Sequence, residues 1–257
     1  MKVEKILQKH GYKPNVLLDQ HFLADEKLVV RLLKKLQIKK DDIVFEVGAG
    51  IGTFTEKIPK CKKIYAVDID KKVIAVLKAE VKREYLEVIE GNALEHISKL
   101  KFNKLVSSTP YSICEPLFHK LFVADFEKAL VIVPEKFHEK VENPQSSFGF
   151  FVKMFLNVKK IEDIPKIAFI PAPKVGSVAL LVTKKPQSIS QELYLQKDKK
   201  VKNLLREVLC KNKKMTKKQA KKLIDEKIDN KTMLEGFPGK LKLEELEILE
   251  EFVTNTE

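Results

Sequence analysis

Three of the nine glycines in this 257-residue chain stand at Gly48, Gly50 and Gly52, directly after the β-branched run Ile43-Val-Phe-Glu-Val47. Glycine lets a backbone turn tightly and lie close to a ligand, so this segment has the chemistry of a nucleotide loop as well as that of a plain strand-to-helix turn. Twenty residues after Gly48, Asp68 closes the run Tyr65-Ala-Val-Asp68. A carboxylate there can accept both hydroxyls of an adenosine ribose. The spacing serves a dinucleotide or S-adenosylmethionine, and the glycines decide between them. G-x-G-x-G preceded by Glu46 lacks the third glycine of G-x-G-x-x-G, and a sulfonium ligand has no pyrophosphate to seat on a helix N-terminus.

Two later segments fit, in turn, the adenine edge of such a cofactor and an acceptor that carries an amino group. Gly91-Asn92-Ala93-Leu94 reads as a turn whose Asn92 amide can hydrogen-bond an adenine edge. Ser107-Ser108-Thr109-Pro110-Tyr111 ends another strand-like run with polar acceptors, a proline and an aromatic ring. Ser108 and the Pro110 region can accept hydrogen bonds from an amino group, and Tyr111 offers a face on which a flipped base stacks.

These residues need a scaffold, and the pattern between Asp42 and about Lys185 supplies one. Short β-branched runs at Ile43–Val47, Ile64–Asp68, Leu86–Ile89, Leu105–Ser107, Leu130–Val133 and Val178–Thr183 alternate with helical stretches. That alternation predicts helices on both faces of a mostly parallel sheet. Thr53-Phe-Thr-Glu-Lys-Ile58 is expected as a short helix and Lys71–Lys82 as a longer one. Ala24–Leu36, with Leu28, Leu32 and Leu36 on one stripe, is expected as a helix covering an edge of the sheet. At Pro186-Gln-Ser-Ile-Ser190 the character turns polar, which places a domain boundary between 1–185 and 186–257. Beyond it, Val201, Leu204, Leu205, Val208 and Leu209 form a core-facing helical stripe.

Composition points to the partner. The chain carries a formal +13 at pH 7, which favours a polyanion. Lys197–Lys222 holds twelve Lys and Arg against Asp198 and Glu207, a net +10, whereas Leu223–Glu257 carries −6. No apolar run approaches the roughly 20 residues of a membrane helix, and Met1-Lys-Val-Glu-Lys-Ile6 lacks the apolar core of a secretory signal. A cytoplasmic protein without membrane association is expected. Cys61, Cys114 and Cys210 form no C-x-x-C pair and read as reduced packing residues. His10, His96, His119 and His138 have no partners at metal spacing, so no metal is expected. The methyl donor brings its own leaving group.

In order along the chain, Gln20-His-Phe-Leu-Ala-Asp25, Glu46-Val-Gly-Ala-Gly-Ile-Gly52, Val67-Asp-Ile-Asp70, Gly91-Asn-Ala93, Thr109-Pro-Tyr-Ser-Ile113 and Phe169-Ile-Pro-Ala-Pro-Lys-Val-Gly-Ser177 resemble the motifs of the KsgA family of ribosomal RNA adenine dimethyltransferases. The first and last blocks are the specific ones, since a generic methyltransferase has neither. The resemblance spans nearly the whole chain. It implies an α/β, Rossmann-like S-adenosylmethionine-dependent methyltransferase sheet with a small all-helical, basic, RNA-binding C-terminal domain. It implies methyl transfer to adenine N6 in small-subunit ribosomal RNA, at two adjacent adenines, during ribosome biogenesis, by a monomer, with S-adenosylhomocysteine as product.

Carried over by position, the family's donor contacts fall on His21, Leu23, Gly48, Asp68, Asn92 and Ser108, beside Gly50 and Gly52 of the loop. Ser108, Pro110 and Tyr111 become the catalytic group. Lys174, Lys211, Lys213, Lys214, Lys217 and Lys218 become the RNA contacts. The chain departs from the family at Asp19, where glycine is usual, at Asp68 for Glu, at Asn92 for Asp and at Ser108 for Asn. Pro134-Glu-Lys-Phe137 and Phe148-Gly-Phe-Phe-Val152 replace Q-K-E and Y-G-R-L-S, and a presumed RNA-contacting arginine is lost. These changes keep an RNA-binding assembly factor without methyl transfer as the alternative. A nicotinamide-dependent dehydrogenase fits the glycine pattern worse, and a methylase of large-subunit RNA fits the C-terminal domain worse.

Overall fold

The computed structural model describes every residue except Met1, Val16, Leu17, Gln187, Ile189, Ser190, Leu193, Tyr194, Lys197, Gly239, Lys240 and Glu257. Part of the expected boundary stretch and the first lysine of the basic run therefore lie outside the described residues. Contacts divide the chain into Met1–Lys184 and Lys185–Glu257.

In chain order the first unit contains α1 (Lys2–Lys9), β1 (Phe22–Leu23), α2 (Glu26–Leu36), β2 (Ile43–Val47), β3 (Lys63–Asp68), α3 (Lys71–Glu80), β4 (Leu86–Glu90), α4 (Ala93–His96) and β5 (Lys104–Ser108). It continues with α5 (Cys114–Val123), β6 (Lys128–Pro134), α6 (Glu135–Glu142), α7 (Ser147–Phe155), β7 (Leu156–Ile164), β8 (Phe169–Ile170) and β9 (Ser177–Lys184). Seven strands form one sheet in the order β4-β3-β2-β5-β6-β9-β7. Only β9 runs against the others, pairing antiparallel with β6 and β7. Strand order reverses between β2 and β5, and in open α/β sheets a crevice opens at the carboxyl ends of the strands at that point. Gly48 follows β2 and Ser108 ends β5, so the two candidate loops meet there.

The central strands are apolar because both their faces are covered. Val44, Phe45 and Val47 of β2, and Ala129 through Val133 of β6, are buried. The edge strand β7 was not legible from sequence, because Lys159, Lys160, Glu162 and Asp163 make it read as polar. Charged residues protect an exposed edge from further pairing. The two-residue strands β1 and β8 were equally invisible. They pair antiparallel, Phe22 with Ile170 and Leu23 with Phe169. The first and last motif blocks are thereby bound to each other.

Helix α2 starts on Asp25, whose side chain accepts from Leu28 N at 3.0 Å, and buries Leu28, Val29, Leu32, Leu33 and Leu36. Truncating one such buried leucine costs about 2–5 kcal/mol. This helix lies on β6 and β9, within the sheet face, and not over an edge as expected. Thr53–Ile58 is also not a helix. It is a series of turns in which Glu56 N bonds Gly52 O and Lys57 N bonds Phe54 O. Phe54 and Ile58 are drawn into the core, the Arg83 guanidinium bonds the Glu56 and Ile58 carbonyls, and Pro59 has no N–H to extend the ladder.

The second unit contains α8 (Val201–Asn212), α9 (Lys217–Lys227), α10 (Lys231–Glu235) and α11 (Leu243–Thr254). The stripe Val201, Leu204, Leu205, Val208 and Leu209 packs with Ala220, Ile224, Leu249 and Val253. Thr216 and Gln219 close a capping box at the start of α9, which satisfies donors that the lysine-rich first turn cannot.

Candidate active site

At the reversal point lies a cavity of about 270 Å³. Its walls come from four segments: Leu18–Leu23, the loop after β2, the ends of β3 and β4, and the loop after β5. Of the expected donor contacts, His21, Leu23, Gly48, Gly50, Asp68, Asn92 and Ser108 line it. Gly52 does not. A Cβ on Gly52 would stand 2.5 Å from Leu77 Cδ1 and 2.9 Å from Val81 Cγ2, so this glycine lets α3 pack closely and does not face the cavity. Gly50 is the glycine that works at the wall. Its φ is +56°, and a Cβ would stand 2.9 Å from the Phe22 ring.

Asp68 shapes the loop as well as facing the cavity. Its Oδ2 accepts from Gly50 N at 2.8 Å and its Oδ1 from Asp70 N at 3.0 Å. A carboxylate has about four acceptor sites, so capacity remains for a ligand hydroxyl. Burial raises the Asp68 carboxyl above the usual range, while the backbone N–H groups oppose that rise. Asn92 caps α4 by accepting from Leu94 N at 3.0 Å. Its oxygen keeps a second lone pair and its NH₂ remains to donate, so either can meet the adenine edge. His21 Nδ1 lies 2.8 Å from the Pro171 carbonyl. A carbonyl only accepts, so the proton sits on Nδ1.

Sequence reasoning undervalued Glu46, which is 2 % exposed and lines the cavity floor. Thr55 Oγ1 donates to it at 2.6 Å, and burial pushes its carboxyl up to about 8 despite that bond. A carboxyl raised in the folded state binds a proton that the unfolded chain has already lost, so stability falls as pH rises from the unfolded value toward 8. By pH 7 the loss is on the order of 3 kcal/mol. Urea midpoints of the ligand-free protein are therefore expected to drop between pH 5 and 8, and Glu46→Gln is expected to flatten that drop. An equal slope in the variant would refute the assignment.

The Ser108–Ser112 loop divides its work differently from expectation. Ser107 Oγ donates to Val47 O at 3.0 Å and Thr109 Oγ1 to Ser107 Oγ at 2.9 Å, which locks the strand end. Ser108, between them, makes no side-chain hydrogen bond among the described residues and faces the cavity. The Pro110 carbonyl is taken by Ile113 N at 3.0 Å and approached by Cys114 Sγ at 3.6 Å. Pro110 lines the cavity, whereas Thr109 is buried and does not. Tyr111 is not a cavity wall. Its hydroxyl is 3.3 Å from Ser177 Oγ, and its ring centroid is 6.2 Å from that of His21. Cys114 is buried, and burial pushes its thiol up to about 12, as befits packing.

Sequence reasoning also missed the ties of the N-terminal segment. The Tyr12 hydroxyl lies 2.7 Å from Asp70 Oδ2 and 2.5 Å from Gln20 Oε1, and Gln20 Nε2 donates to Asp70 at 2.9 Å. Gln20 lay inside the first motif block, and Asp70 stood at a helix N-cap position. Those were the available signals.

Lys174 is exposed in the first unit. In the second, Lys211 pairs with Glu192 at 3.1 Å. Lys214, Lys217 and Lys218 are exposed and Lys213 is half-buried, and none of these four has an ion-pair partner among the described residues. No group of His, Cys, Asp and Glu with metal-holding geometry occurs among the described residues, and no helix there is long and apolar enough to cross a membrane.

Residues 12–251 match the family described as ribosomal RNA adenine dimethylase. The chain is 32% identical to a "Probable ribosomal RNA small subunit methyltransferase A" of Pyrococcus furiosus, over 98% of this chain and 96% of the relative. It is 33% identical to the protein of the same description from Methanococcoides burtonii, covering 79% and 81%. Among solved structures, a dimethyladenosine transferase from Plasmodium falciparum superposes with a TM-score of 0.61 at 24% identity, covering 89% of this chain and 96% of that one. The 23S rRNA methyltransferase ErmE superposes with a TM-score of 0.62 at 17% identity, covering 91% and 100%. These two likenesses establish the methyltransferase fold.

Proposed function

The chain belongs to the ribosomal RNA adenine dimethylase family, and from that premise we propose that it transfers methyl groups from S-adenosylmethionine to the N6 amino groups of adenines in small-subunit ribosomal RNA. The observation that carries the reading is the meeting of the Gly48–Gly50 loop and Ser108 in one cavity at the β2/β5 crossover.

The cavity suits the donor by its chemistry. Asp68 places a carboxylate against a cationic ligand and keeps acceptor capacity for ribose hydroxyls, Glu46 is held largely protonated by burial, and Leu23 and Ile69 supply apolar surface. When bound, the donor supplies an electrophilic methyl group and a neutral thioether leaving group. The protein's task is to prepare the amino nitrogen, whose lone pair is delocalised into the ring. Ser108 Oγ and the Pro110 region accept from the two amino N–H bonds and turn the lone pair toward the methyl carbon. The N–C bond forms as the C–S bond breaks, and one amino proton leaves the product. Tyr111, outside the cavity wall, stacks the flipped base. Lys174, Lys211, Lys213, Lys214, Lys217 and Lys218 hold phosphates, so binding weakens with salt. A monomer is the proposed acting form. Two adjacent adenines, each dimethylated, are the proposed targets.

Small subunits lacking the modification, incubated with the protein and methyl-labelled donor, are expected to yield labelled dimethyladenine in the small-subunit RNA by mass spectrometry. Label in large-subunit RNA alone would overturn the substrate. Intact donor binding with no labelled dimethyladenine would overturn the activity.

A further inference from the structure

Asp19 joins two walls of the cavity. Its Oδ2 accepts from the Ser112 backbone N–H at 3.0 Å, and Ser112 lies in the 3₁₀ turn Tyr111–Ile113, four residues beyond Ser108. Asp19 itself has φ 51°, in the left-handed region where glycine is at ease and a short polar side chain is only tolerated. A turn alone would be met best by glycine, so the aspartate side chain has to return something.

What it returns is an anchor. The neighbours of Asp19 are held from the cavity side, Gln20 by Asp70 at 2.9 Å and His21 by Pro171 at 2.8 Å. The turn it grips is otherwise weakly held. No side chain caps it, and the Tyr111 hydroxyl reaches Ser177 only at 3.3 Å. The short reach of Ser108 makes the placement of this loop more demanding than a longer side chain would.

We propose that Asp19 is a positioning residue for methyl transfer, setting the Ser108–Tyr111 loop against the donor site through the Ser112 N–H. The inference rests on the methyltransferase reading above. Misplacement of reacting groups by 1 Å costs about 100-fold in rate, and one net hydrogen bond holding a loop is worth up to about tenfold in the population correctly placed.

The test compares wild type, Asp19→Gly and Asp19→Asn as full chains on unmodified small subunits. Asparagine keeps the acceptor and suits a left-handed backbone, so Asp19→Asn is expected within about twofold of wild type. Asp19→Gly relieves the backbone and removes the acceptor. It is expected to lose about tenfold in kcat, with donor Kd and Tm not worsened and hydrogen-exchange protection of the Ser112 amide lost. Full kcat in Asp19→Gly, or protection of Ser112 retained there, would overturn the proposal. An Asp19→Asn as slow as Asp19→Gly would also overturn it, by assigning the effect to charge. A fall in Tm alongside kcat in Asp19→Gly would reduce Asp19 to a structural residue. Wild type that binds donor and transfers no label defeats the methyltransferase reading itself, and this inference with it.

Discussion

Ser108→Ala is expected to lower kcat for adenine methylation by about 10²–10³-fold, the usual effect of removing one preorganised hydrogen-bonding group from a reaction centre. Donor affinity is expected to stay within about threefold, because Asp68 and the glycine loop supply the polar contacts to the donor. The separation follows from geometry. Ser107 and Thr109 are spent on locking the strand end, while Ser108 alone of the three faces the cavity. Its alanine variant loses an acceptor without loosening β5. Ser108→Asn, which restores a longer acceptor, is expected to retain activity. Single-turnover rates and donor calorimetry on the same samples check both parts. A Ser108→Ala enzyme with wild-type kcat would move the acceptor role to the backbone alone.

Asp68→Ala is expected to weaken donor binding by about 10²–10³-fold, more than loss of a ribose contact would by itself. The carboxylate holds Gly50 N at 2.8 Å and Asp70 N at 3.0 Å, and hydrogen bonds to a charged group contribute about 1.5–3 kcal/mol each. Without it Gly50 loses its side-chain tie to β3, leaving the loop held there by Gly48 N and Ala49 N on the Val67 carbonyl at 3.0 Å, and the start of α3 loses a fixed point. Asp68→Glu keeps the charge on a longer arm and is expected to lose about tenfold or less. Calorimetric titration with S-adenosylhomocysteine measures this without turnover. Binding within threefold of wild type in Asp68→Ala would show that the loop is held from elsewhere.

Much of the sheet was legible because its central strands β2, β5 and β6 are almost wholly buried and so read as β-branched runs. Ile43–Val47 coincides with β2, and the other five expected strands lie within β3, β4, β5, β6 and β9. The strand β7 was illegible for the opposite reason. An edge strand has one row of backbone groups facing outward and needs charge more than apolar character. At the site, spacing could not rank Gly50 against Gly52. Both have positive φ and both are crowded, yet Gly50 meets Phe22 at the cavity wall and Gly52 meets α3. Nor could the order Ser-Thr-Pro-Tyr say that the Pro110 carbonyl closes its own turn.

The sequence by itself determined the class of sheet, the donor loop with its acidic partner and the polar-aromatic segment after β5. Each depends on properties local to a few residues: a turn that needs glycine, a run that tolerates burial, a carboxylate at a strand end. The tertiary structure decided which of these groups meet. His21 finds Pro171 across 150 residues and Asp19 finds Ser112 across 93, and the two family-specific blocks become one small sheet. It also decided the charge state of Glu46, since desolvation is set by everything packed around a group and not by its neighbours in the chain.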